Sequence, residues 1–140
     1  MSIKNIAVIL ISTLLTAGSA YARTPSPEGA EVYIISPADG DTVTSPVTVK
    51  FGLKGMGVAP AGVDKPDTGH HHLLIDVTDP PDPDKPLPAD AHHKHFGGGQ
   101  TQVTIELSPG THTLQLIMGD NAHIPHDPPV MSEKITITVK

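Results

Sequence analysis

Apolar residues recur with period two along most of this chain. "EVYIIS" (31–36) reads as a short strand. In "VTVKFGL" (47–53), Val47, Val49, Phe51 and Leu53 share one face, while Thr48 and Lys50 share the other. "HLLIDV" turns Leu73, Ile75 and Val77 inward and leaves Asp76 outward, within a strand expected over 69–77. Three more strands are expected. Val103, Ile105 and Leu107 align in 101–107, Leu114, Leu116 and Met118 in 111–118, and Ile135, Ile137 and Val139 in 132–139. A short edge strand is expected within 88–93. No segment sustains helical spacing, because Pro and Gly interrupt every candidate within about a dozen residues. The pattern predicts an all-β fold, an immunoglobulin-like antiparallel β-sandwich of about seven short strands.

Two segments are too irregular for strands. "TDPPDPDKPLPAD" (78–90) is rich in Pro and Asp and reads as an exposed loop. "GDNAHIPHDPPVM" (119–131) reads as a long loop before the last strand, of a length that is usually functional or disordered.

The N-terminus changes the domain boundaries. "MSIKN" precedes the apolar run "IAVILISTLLTA", and "GSAYA" ends with small residues at A-x-A spacing. This pattern predicts a secretory signal peptide over 1–22, cleaved after Ala22. The competing reading, an uncleaved anchor, is disfavoured because "AYA" suits a signal peptidase. Pro-rich residues 23–30 are expected as a flexible lead-in, and residues 31–140 as the sandwich. Export places the protein in a bacterial periplasm or outside the cell, with no membrane insertion after cleavage.

Composition removes several function classes. The 140-residue chain has no Cys, so thiolate chemistry and disulfides are excluded. Its net charge of −6 argues against nucleic acid. With two Phe, two Tyr and no Trp, it has no stacking platform for sugars or bases.

Histidine is what the chain has in excess, with nine residues. They fall into three clusters, "HHH" (70–72), "HHKH" (92–95) and "HIPH" (123–126), with His112 apart. In an up-and-down sandwich, alternate loops lie at the same end. The three clusters are therefore expected at one rim and His112 at the opposite end. Neutral imidazole is a ligand for zinc, copper and nickel. The expected metal ligands are His72, His95, His123 and His126, followed by His71, His70 and His93. Alternation points His70 and His72 one way and His71 the other, which favours His72 within the triplet. Met56, Met118 and Met131 are expected near the same rim, where thioethers would favour copper(I). Asp120 and Asp127 are candidate ligands or acceptors that orient the rings.

Each feature also has a structural explanation. "HHKH" can be a solvated loop. His71 alternates with Leu73 and Ile75, so it can sit at the core edge. His112 stands where many sandwiches have a tyrosine corner, which favours a structural hydrogen bond. "GGG" (97–99) lacks the Lys and Ser/Thr of a phosphate loop and instead lets the backbone turn or move.

"YIISPADGDTVTSPVTVKF" and "LSPGTHTLQLIMGDNAH" resemble segments of the CopC-like copper-resistance proteins, which are secreted β-sandwiches. That resemblance implies a copper-ligating role for the loop histidine, here His123. The chain departs from those proteins at the start of the domain, where they place a copper-binding histidine and it has Glu31 and Tyr33. "HHLLID", "HFGGGQT", "PGTHTLQL" and "GDNAHIPHDPPVMS" more closely resemble a secreted bacterial family known only as domain of unknown function 4399. This second resemblance implies no activity. It places His71, His72, His95, His112, His123 and His126 in motif positions.

The expected function is an exported metal-binding domain, with copper as the first candidate and zinc the alternative, serving as carrier, buffer or sensor. The competing function is a structural or interaction module that docks on another envelope protein without a metal. No catalytic role is expected. The chain has no "HExxH" motif, no nucleophile elbow and no Cys.

Overall fold

The alternating segments become strands close to where their periodicity places them. The computed structural model describes residues 22–140 and contains no helix among them. In chain order the strands are β1 (Glu31–Ser36), β2 (Thr42–Val43), β3 (Val47–Lys54), β4 (Gly57–Val58), β5 (Thr68–Ile75), β6 (His93–His95), β7 (Gln102–Ile105), β8 (Gly110–Gly119) and β9 (Ile135–Val139). Among the described residues there are nine strands rather than about seven, because β2 and β4 are two-residue pairings at sheet edges. The edge strand expected within 88–93 is β6, shifted towards the C-terminus. Asp90 Oδ1 accepts the amides of His92 and His93 at 2.8 and 2.9 Å, forming a turn before the ladder begins.

The strands form a sandwich-like pair of sheets. The smaller sheet has the order β1-β3-β7, antiparallel throughout. The larger runs β2-β9-β8-β5, and the far edge of β5 is shared by β4 and β6. Between the sheets lies an aliphatic core that includes Val49, Leu73, Leu114, Leu116, Met118 and Ile137, each 0% exposed. Burying one such side chain is worth about 1.5–3 kcal/mol.

The central strand β5 departs from simple alternation, being buried on both faces. Leu73 and Ile75 face the core between the sheets. Leu74 joins Ile117 of β8 and Leu87 of the Pro-rich loop in a second apolar cluster on the outer face of the larger sheet. The loop over 78–90 is thus anchored by Leu87, which is 7% exposed. Because alternation continues back along β5, His71 is on the core face, and His70 and His72 are on the outer face with Leu74.

The expected signal peptide lies outside the described residues, apart from Ala22. Residues 23–26, expected as part of a flexible lead-in, make specific contacts with the 119–131 loop. Ser26 N donates to the Asp127 carbonyl at 3.0 Å, and Asp127 N donates to the Thr24 carbonyl at 2.9 Å.

Candidate metal centre

His70 and His72 enter the site because both lie on the outer face of β5. His95 comes from β6, whose register sets His95 directly opposite His72. His123 comes from the loop after β8 and carries a φ of 66°. These four side chains each offer a ring nitrogen, and the four nitrogens lie within 4.8 Å of one another. His70 Nε2 is 2.9 Å from His72 Nε2 and 3.1 Å from His123 Nδ1. The His95 ring centroid is 5.0 Å from those of His70 and His72 and 4.7 Å from that of His123. A tetrahedral ion with nitrogens at about 2.0–2.1 Å requires them about 3.3 Å apart, within the range spanned here.

Protons alone cannot satisfy this arrangement. A neutral imidazole has one N–H and one lone pair. Only one of His70 and His72 can place its N–H in the contact between their Nε2 atoms, so the other is left with a buried Nδ1–H that has no acceptor. A cation at the centre accepts every lone pair at once. His70 Nδ1 and His72 Nδ1 are buried without a hydrogen-bond partner. The rings are therefore held by packing, with no carboxylate behind them.

Burial also keeps His70 and His72 unprotonated. Desolvation, then the rings of His123 and His95, lower the pKa of His70 from 6.5 to about 4, with Asp120 opposing. Desolvation, then His70, His95 and His123, lower His72 to about 3. His95 is lowered as well, first by desolvation and then by His123. Neutral rings have lone pairs free for a metal.

Glycines make room for the rings. A Cβ on Gly119, which pairs with His70 across the ladder, would lie 2.9 Å from His72 Nε2. One on Gly97 would lie 2.4 Å from His95 Cε1. In the sequence, Gly97 reads as part of a segment that lets the backbone turn or move, and Gly119 as the start of a loop. Their role depends on the strand register that brings them beside the histidines.

The other expected ligands lie elsewhere. His71 is on the core face, with its ring centroid 5.0 Å from that of Phe51. It is 0% exposed and both its ring nitrogens lack partners, although the Gln100 backbone lies close enough to oppose the burial that lowers its pKa to about 4. His93 Nδ1 bonds Asp90 Oδ1 at 2.8 Å. His126 Nε2 donates to the Thr68 carbonyl at 3.1 Å. His92 Nδ1 donates to the Ile75 carbonyl at 2.9 Å. Neither expected carboxylate orients a ring. Asp120 binds backbone amides of its own loop, and Asp127 pairs with Arg23 at 3.5 Å. Met56 and Met118 pack with the core and Met131 with the outer cluster. The cluster itself sits on the outer face of the larger sheet rather than on the rim between sheets, because alternation on β5 decides the face.

His112 is at the other end of the β5–β8 pair. Its Nδ1 donates to Asp76 Oδ2 at 2.7 Å and its Nε2 to the Ser108 carbonyl at 2.8 Å. Both partners are acceptors, so the site favours a proton on each nitrogen. The Asp76 hydrogen bond, then the Ser108 carbonyl, raise its pKa above 6.5.

The sequence profile of the family described as Domain of unknown function (DUF4399) matches residues 49–140, a span that contains all four clustered histidines. No curated protein and no solved structure matches the chain, and these comparisons give the CopC-like resemblance no support. The chain belongs to the DUF4399 family.

Proposed function

We propose that this protein is an exported metal-binding domain that carries, buffers or senses one ion through His70, His72, His95 and His123. The supporting observation is the gathering of four ring nitrogens within 4.8 Å from segments far apart in the chain. Copper is the first candidate and zinc the second. The donors are all nitrogen, and among divalent first-row ions copper binds such donors most tightly. The methionines pack elsewhere, so the copper reading rests on imidazole alone.

Catalysis is not part of the proposal. Four rings complete a tetrahedral shell, whereas a catalytic zinc keeps a position open for water. The apolar run and "AYA" at the N-terminus support export to the periplasm or cell exterior after cleavage behind Ala22.

The competing interaction-module reading has one observation behind it. Tyr33 and Ile35 stand exposed on β1 at 42% and 57%. Two side chains fall short of the few hundred Å² expected of a docking patch. Calorimetric titration with Cu(II), Cu(I) and Zn(II) tests the metal reading. One ion per chain, bound more tightly than about 10 μM, is expected. Weaker binding of all three ions would overturn it.

A further inference from the structure

The four donors are not held alike. His70 and His72 are fixed in the middle of a buried strand, and His95 lies in a strand paired to it. His123 is in a loop, at a left-handed backbone angle that costs a non-glycine residue about 1 kcal/mol or more. An ion leaves most readily by losing the donor whose backbone can relax.

A buried carboxylate keeps that backbone in place. Asp120 is 6% exposed, and its Oδ1 accepts the amides of Ala122 and Ile124 at 2.9 and 3.0 Å. Its carbonyl accepts the His123 amide at 2.9 Å. From the other side, Leu87 N donates to the His123 carbonyl at 2.8 Å. Asp120 Oδ2 takes its hydrogen bond from outside the loop, from the Thr24 hydroxyl at 2.7 Å.

Thr24 belongs to a segment tied to the same loop along its length. Arg23 donates to the carbonyls of Pro125 and His126 and pairs with Asp127. Ser26 Oγ donates to the Pro128 carbonyl at 2.9 Å. Pro25 and Asp127 form a parallel bridge. Cleavage after Ala22, as proposed above, would leave this segment at the start of the mature chain.

We infer that residues 23–26 form a strap that sets how long the four-histidine site keeps its ion, acting on His123 through the positioning residue Asp120. The inference rests on the metal reading above. Removing the Thr24 hydroxyl frees one oxygen of a buried carboxylate, and the turn it anchors loosens. The strap makes no hydrogen bond to His70 or His72, so its effect falls on release of the ion.

The test measures release of Cu(II) and Zn(II) into excess chelator from wild type, Thr24→Val and Thr24→Ser, alongside amide hydrogen exchange of the metal-free proteins. Thr24→Val is expected to speed release about tenfold and to raise exchange at Ala122 and Ile124, while Thr24→Ser behaves as wild type. If wild type holds an ion and Thr24→Val releases it at the wild-type rate, the strap is overturned and the metal reading stands. If release quickens but exchange at Ala122 and Ile124 does not change, the route through Asp120 is overturned. If wild type holds neither ion, the metal reading fails and the strap fails with it.

Discussion

At one end of the β5–β8 strand pair, His70 and His72 are buried, neutral and short of partners. At the other end, His112 gives one proton to a carboxylate and one to a carbonyl. Both ends are built from the same two strands, with Asp76 directly following β5 and Gly119 ending β8. The difference is in what surrounds each imidazole. Acceptors on both ring nitrogens favour the protonated form of His112 and leave it no lone pair aimed at a metal. Burial, then the neighbouring imidazoles, suppress protonation of His70 and His72, whose lone pairs converge. Histidine content alone therefore does not identify a metal site; the partner of each ring nitrogen does.

The strongest way to break this comparison is to remove a ring from each end. Replacing His72 with Ala removes one of four donors and is expected to weaken metal binding by more than about 100-fold, beyond the effect of losing an outer-sphere partner. Replacing His112 with Ala is expected to leave affinity unchanged. It should lower stability by about 1–2 kcal/mol, the worth of partly exposed charged hydrogen bonds. Titration and urea unfolding of both variants check this, and equal effects on affinity would erase the distinction.

Gly119→Ala sharpens the comparison by disturbing the cluster without removing a donor. The new methyl would press on the His72 ring, and affinity is expected to fall about tenfold in the same titration.

The two ends should also respond to pH with opposite signs. In metal-free protein, His70 and His72 titrate at about 4 and 3 when folded and near 6.5 when unfolded. The unfolded chain binds the extra protons, so stability is full above 6.5 and falls as the pH drops from there towards 4. For each histidine the slope is at most about 1.4 kcal/mol per pH unit. His112 is raised in the folded state, so its contribution is full below 6.5 and is lost as the pH climbs through its folded pKa. Burial would raise Asp76, but the His112 hydrogen bond and the Thr113 amide outweigh it and lower the carboxyl, so the pair persists well below neutral pH. Urea unfolding across pH 4–9 should show the acid slope flattened in His72→Ala and the alkaline slope flattened in His112→Ala.

The smallest expected effect concerns His71, whose neighbours on both sides are donors. It faces the core with both ring nitrogens unpartnered, so His71→Leu is expected to leave affinity unchanged and raise stability by about 1 kcal/mol. Thermal unfolding with and without metal reads both values.

Much of this arrangement was legible in the sequence. Period-two runs located the main strands, and β1 has the same bounds in both readings, Glu31–Ser36. Alternation alone separated His71 from His70 and His72. The meeting of His72, His95 and His123 followed from counting alternate loops. What the sequence left open depends on register and on local capture of side chains. His70 depends on the ladder, which sets it opposite Gly119 and so leaves space for rings. His93 is bonded by Asp90 three residues away, and His126 by the Thr68 carbonyl, and no pattern of residue types predicts either. The face of the site was hidden because a Pro- and Asp-rich loop gave little sign that Leu87 would anchor it over β5.

The most direct measurement is X-ray absorption at the metal edge of the loaded wild-type protein, which counts imidazole ligands around the ion. Four nitrogens at about 2.0–2.1 Å, with imidazole outer-shell scattering for each, is the expected result. A shell with two or fewer imidazoles, completed by oxygen, would contradict a single ion held by His70, His72, His95 and His123.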